Sequence, residues 1–120
     1  MRIRLGSKNL CRNASRATGF LDRLAGLQGR SRWPHGTDGI LFPDCSCVHT
    51  FFTFLRPDIL FLDASGKILG VHGETPAWKV LSGPRRTSDT LELPSGVSRR
   101  LAIRTGQTIR FHSGNNPRRR

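Results

Sequence analysis

Residues 39–63, GILFPDCSCVHTFFTFLRPDILFLD, decide how this chain is read. Two thiols (Cys45, Cys47), an imidazole (His49), the Thr50 hydroxyl and the Asp58 carboxylate sit inside an otherwise apolar run. Polar groups in such a run cost free energy unless something satisfies them. The spacing predicts one strand over 48–54 and another over 58–63. In the second, Leu60 and Leu62 face one side and Ile59 and Phe61 the other, so both faces are apolar and the strand belongs at the centre of a sheet. Asp63-Ala64-Ser65-Gly66 then reads as a tight turn, with Gly66 taking the positive φ, and 67–72 as the return strand of a hairpin.

Working outward, Arg2-Ile3-Arg4-Leu5 alternates as a first strand does. Apolar residues at Ala17, Phe20, Leu21, Leu24 and Leu27 follow the three-and-four spacing of a helix over 14–28, capped by Asn13 or Ser15 and ended by Gly29. Glycine and proline make 28–36 a loop, with Trp33 its anchor. Further strands are expected at 78–81 and at 89–93, the latter closed by Pro94. Val97, Leu101 and Ile103 suggest a short helix after Ser95, and a turn at Gly106 leads to a last strand over 107–111. The closing residues, 112–120, have too little apolar content to order themselves and read as a basic tail. Several short strands and two helices, not strictly alternating, argue for an α+β class with a small, curled, largely antiparallel sheet in a single domain over 1–111.

The 120 residues suffice for one core without staples. No stretch approaches the roughly 20 apolar residues a membrane-spanning helix needs, and no apolar block near the start resembles a secretory signal. Three cysteines form no disulfide framework, so a soluble protein of the reducing cytoplasm is expected. The formal net charge of +12 is uneven. Residues 1–35 carry eight Lys/Arg against one acid, 36–84 three against five, and 85–120 nine against two, giving +7, −2 and +7. Seventeen of the twenty basic residues are arginine, which grips phosphate with two parallel hydrogen bonds where lysine cannot. Nucleic-acid binding through the basic ends is one consequence, but solvated charge at frayed ends is the simpler reading, and no aromatic residues interleave with the terminal arginines. Residues 1–21, rich in Arg and Ser with no acid, also fit an organellar transit peptide; the strand alternation of Arg2–Leu5 explains the same residues.

Taken together, Gly39-Ile40-Leu41-Phe42, Cys45 with Val48-His49-Thr50-Phe51-Phe52, Asp58 with Phe61-Leu62-Asp63, and Leu91-Glu92-Leu93-Pro94 with Gly96 resemble the domain of unknown function 192 family, small and mostly prokaryotic proteins. The likeness runs from about residue 19 to 111, and its motifs are specific in combination. It implies a barrel-like α+β domain and brings no activity with it. The family pattern has methionine where this chain has Thr53, a proline where Arg56 stands, serine where Cys47 stands, and aspartate at the position of Gln107. Any family site around the His-Thr segment is therefore altered at its Thr53 wall.

In an extended chain Cys45, Cys47 and His49 point to one side, which suggests zinc or copper(I). Residues two apart on a strand are roughly 7 Å apart, too far for two sulfurs on one metal without a bend, and a fourth ligand would have to come from Cys11 or His72. Buried free thiols and a satisfied histidine explain the cluster better, so no metal and no cofactor is expected. The same cluster as a Cys47–His49 nucleophile pair lacks any hydrolase motif. Asp58 and Asp63 stand an odd number of residues apart, so they face opposite sheet surfaces and form no acid/base pair. Asp63 is explained by its turn, and Asp58 by a backbone or arginine partner at the strand entry. The expectation is a monomeric, non-catalytic binding or accessory domain, with a small-ligand cleft bordered by His49, Thr50, Asp58 and Trp78. A metal protein or Cys/His enzyme is the first alternative, and a nucleic-acid binder the second.

Overall fold

A computed structural model describes residues 1–17, 33–34, 36–51 and 53–112. Its strands are β1 (Arg2–Leu5), β2 (Lys8–Cys11), β3 (Ser15–Arg16), β4 (Ile40–Phe42), β5 (Cys47–His49), β6 (Asp58–Leu62), β7 (Ile68–His72), β8 (Val80–Ser82), β9 (Asp89–Leu93) and β10 (Ile109–His112), with a short helix α1 (Val97–Arg100) between the last two strands. They form a five-stranded sheet in the order β3-β4-β9-β6-β7, a three-stranded sheet β10-β1-β2, and a two-stranded ribbon β5-β8.

The double apolar alternation of 58–62 does what it predicts. Every residue of β6 is buried, and the strand lies between β9 and β7. Leu60 and Leu62, with Leu91, Leu93 and Leu41, face one core cluster that also holds Ile3, Leu5 and Ile109 from the three-stranded sheet and Val97 from α1. The two sheets thus share one apolar interior, where each fully buried leucine or isoleucine contributes about 2 kcal/mol. On the opposite face of the large sheet, Ile40 and Phe42 pack with Ala17 and with half-buried Trp33 and Leu55.

The hairpin turn also forms as expected. Asp63 Oδ1 accepts from Ser65 N, Ser65 Oγ and Lys67 N, the Asx pattern that fixes a turn. Gly66 has φ +89°, and a Cβ there would stand 2.5 Å from the Ile109 carbonyl oxygen, so glycine is required for both conformation and space. Strand 89–93 and the short helix after Ser95 stand where the pattern puts them.

Other expectations need correction. The sheets do not close into a barrel: the strands divide into three separate ladders. Among the described residues, the single bridge Lys67–Thr108 and a few flanking backbone bonds link the large and small sheets near their ends. The fold is strand-rich, with one short helix among the described residues, rather than a two-helix α+β domain. Ser15 and Arg16, assigned to the first turns of a helix, instead pair in parallel with Ile40 and Leu41; the remainder of that predicted helix lies outside the described residues. The antiparallel expectation holds for every other strand pair. The strand predicted over 48–54 ends at His49, because Thr50 O accepts from both Thr53 N and Trp78 N and turns the chain. β10 extends to His112, and the rest of the expected tail lies outside the described residues. No helix among the described residues is long and apolar enough to cross a membrane. The Cα radius of gyration, 13.3 Å, is that of one compact domain.

Candidate functional site

The ribbon β5-β8 carries the His-Thr segment. Its register sets Cys47 opposite Ser82, Val48 opposite Leu81 and His49 opposite Val80. Side chains alternate, so half-buried Val48 and Leu81 turn inward while Cys47, His49, Val80 and Ser82 stand on the exposed face. That face continues past the ribbon's end to Phe51 and Trp78. The His49 and Phe51 rings lie 5.0 Å apart at 39°, and Phe51 and Trp78 5.7 Å apart at 34°. Phe51, Trp78 and Val80 keep 37%, 54% and 61% of their surface open to solvent. Three large apolar side chains are thus left open to solvent around this end of the ribbon.

Thr50 holds this geometry from below. It is buried, its Oγ1 donates to Pro76 O at 2.7 Å and accepts from Lys79 N at 2.9 Å, and its own N donates to Lys79 O at 2.8 Å. Trp78 N donates to Thr50 O at 3.1 Å, with Trp78 itself in the left-handed region at φ +67°. The His49 ring is tethered by its own chain: Nδ1 accepts from Phe51 N at 3.3 Å, which in the neutral ring puts the proton on Nε2.

Asp58 does not join this group. It is fully buried, Oδ1 accepts from Glu74 N (2.8 Å) and Gly96 N (3.1 Å), and Oδ2 accepts from Ser98 N (2.6 Å). Its carboxylate ties the β7–β8 connection to the start of α1, where the first N–H groups of a helix lack partners. Of the four residues expected to border one cleft, the fold therefore brings His49, Thr50 and Trp78 together, with Thr50 beneath the surface and Asp58 elsewhere. Phe51 is the member the sequence reading passed over; its even spacing from His49 was the available signal.

The thiols do not converge. Cys45 Sγ donates to Cys47 O at 3.3 Å, and Cys47 Sγ accepts from Ser82 Oγ at 3.6 Å. Cys11 is buried against Gly39, its Sγ donating to Asp38 O, and its pKa is pushed up to about 12, first by burial and then by the Asp38 charge. Among the described residues, no three His, Cys, Asp or Glu side chains gather in a metal-binding group. Sequence reading also overlooked Glu92. In β9 it stands between Ile40 and Ile59, and burial raises its carboxyl from 4.5 to about 7.

Comparison with known proteins adds the following. The model of the DUF192 family, described as "Uncharacterized ACR", matches residues 3–111. A crystal structure of a protein of unknown function from Novosphingobium aromaticivorans is similar at TM-score 0.74 with 18% identity, over 92% of this chain and 82% of that one. A Sinorhizobium meliloti 1021 protein described as a "putative transcription regulator" is similar at TM-score 0.75 with 21% identity, over 91% of each chain. No curated protein matches significantly. At these identities the two structures speak for the fold alone.

Proposed function

The chain belongs to the DUF192 family, to which no activity is attached, and from its own surface we propose that it is a small non-catalytic binding domain whose His49–Phe51–Trp78 face takes a flat, ring-bearing ligand. The observation that carries this reading is the run of three contiguous rings left open to solvent on a ribbon whose backbone is fixed from beneath by Thr50. Offset or tilted ring contacts each contribute about 1 kcal/mol beyond burial, and a preset platform loses little entropy on binding. Non-catalytic use fits the hydrogen-bonding: Thr50 and Asp58, the polar groups nearest to such a role in the sequence, have their side chains committed to the protein's own backbone. Thr50 is then a positioning residue and Asp58 a scaffold residue. The reading takes the protein as a cytoplasmic monomer, in keeping with three free thiols.

The test uses tryptophan emission. Replacing Trp33 with Phe leaves Trp78 as the reporter, since the chain has two tryptophans. Titration with adenosine and with indole-3-acetate should give saturable quenching that ribose and acetate do not, and Phe51→Ala should weaken it about tenfold. Identical linear responses to the ring compounds and their ring-free controls would remove the basis of the proposal.

A further inference from the structure

Strands from the two basic ends of the sequence, β1 and β2 from one and β10 from the other, are hydrogen-bonded neighbours in the fold. β1 lies between β10 and β2, and its register sets Arg2 opposite His112 and Arg4 opposite Arg110. Ile3, Leu5 and Ile109 point into the core, so by alternation these four cationic or ionisable side chains share the outer face, with Asn9 beside Arg4; Lys8 stands opposite Leu5, off this face. Like charges directly opposite one another on neighbouring strands oppose sheet formation. A sheet usually relieves this with interspersed acids, but β1, β2 and β10 read RIRL, KNLC and IRFH and contain none. The one ion pair between described residues, Arg99–Glu74, involves none of these strands. Asp63, in the turn next to the Lys67–Thr108 bridge, has its Oδ1 occupied by Ser65 and Lys67.

The cations are nonetheless held in place. Arg4 Nη1 donates to Asn9 Oδ1 and Nη2 to Ser7 O, both at 3.0 Å, and Lys8 Nζ donates to Leu101 O at 3.3 Å. These acceptors are neutral: they orient the charges without cancelling them. Arg4, Gly6, Thr108, Arg110 and His112 line a concavity of about 540 Å³. A second of about 290 Å³, which includes Lys8, shares Gly6 and Thr108 with it.

We propose that this face of the β10-β1-β2 sheet binds the phosphodiester backbone of nucleic acid, without reading base sequence. Arginines match phosphate oxygens in geometry as well as charge. Their spread favours a chain of phosphates over a single one, since Arg2 and Arg4 are roughly 7 Å apart along one strand and Arg110 lies on the next. The site lies on a different sheet from the ring face of the ribbon and stands independently of it.

The test measures anisotropy of a fluorescein-labelled DNA duplex of scrambled sequence with the full chain, over about 50 to 200 mM salt. Contacts from Arg2, Arg4 and Arg110 should give a slope of log affinity against log salt of about −2.7, at about −0.9 per phosphate. The double variant Arg4→Gln/Arg110→Gln should bind at least tenfold more weakly with a slope shallower by about 1.8, while a second, unrelated duplex should bind wild type within a few-fold. The variant loses a repulsion but also the Arg4 hydrogen bonds to Asn9 and Ser7, so a circular-dichroism melt showing it folded at the assay temperature separates lost binding from lost folding. An unchanged slope in the double variant overturns the proposal. So does complete loss of binding in Arg118→Gln/Arg119→Gln/Arg120→Gln with the double variant unaffected. Sedimentation with phosphatidylserine vesicles in the absence of duplex binding would assign the face to membranes and overturn it equally.

Discussion

Glu92 gives the protein a stability that depends on pH in a direction opposite to most carboxylates. The residue occupies the middle of the large sheet, in the cross-strand row Ile40–Glu92–Ile59–His72, on the face shared with Phe42, Phe61 and Thr90. Its nearest neighbours across the strands are isoleucines, and desolvation raises its carboxyl from 4.5 to about 7. His72, two strands away at about 10 Å by strand spacing, is exposed with its ring edge on Phe61 and too far to offset that cost. The folded state thus holds the Glu92 proton more tightly than the unfolded chain. Below about pH 4.5 both states are protonated and the full stability is present. As pH rises from about 4.5 to 7, the unfolded chain ionises first and stability falls; above that the loss levels off. At about 1.4 kcal/mol for each tenfold difference in proton affinity, the interval corresponds to about 3 kcal/mol. Glu92→Gln keeps the shape and removes the charge. Urea unfolding at intervals between pH 4 and 9 should show wild type losing about 3 kcal/mol relative to the variant, with the two converging at the acid end. Parallel curves for wild type and Glu92→Gln would refute the assignment, since every other titrating group is common to both.

Asp58→Ala leaves three backbone donors of a buried site without their acceptor and should cost about 4 kcal/mol or more by chemical denaturation, whereas exposed Asp44→Ala should cost less than about 1 kcal/mol. Gly66→Ala forces a side chain into φ +89° and against the Ile109 carbonyl, and should lower stability by about 2 to 4 kcal/mol, visible as a lower melting temperature. A thiol reagent at pH 8 should modify exposed Cys47 rapidly and leave Cys11 untouched until the protein unfolds, because burial pushes the Cys11 thiol up to about 12; mass spectrometry of the labelled peptides reads both. Thr50→Val should cost about 2 kcal/mol and shift the Trp78 emission, while Thr50→Ser retains both.

Local rules were enough for much of this architecture. The two apolar faces of 58–62 made β6 central, the Asp63–Gly66 turn followed from Asx chemistry and a glycine, and 89–93 closed at its proline. Each depends on contacts within a few residues or on solvent exclusion along one strand. What escaped were the short pieces: β2 reads KNLC without clean alternation, and β4 is three residues buried on every side, too short to show a period. Ser15–Arg16 took the helical pattern of its neighbourhood but pairs with β4, a partner some 25 residues away. At the site, parity put Cys47 and His49 on one strand face, but the expectation that this face was buried fails, because the short β5-β8 ribbon leaves both exposed; Trp78 joins them only because the Thr50 network folds 50 and 78 onto one another.

The sequence alone determined the central apolar hairpin of a largely antiparallel sheet, because burial and turn chemistry act over short spans of chain; it also pointed to a second helix and a barrel-like closure that the described residues do not show. Tertiary structure decided everything that depends on long-range neighbours. It turned Asp58 into a cap for a helix forty residues away, and left Glu92 to bear its desolvation between two isoleucines. It also laid Arg2 and Arg4 from one basic end beside Arg110 from the other on one sheet, where strand pairing brings their charges onto a single face.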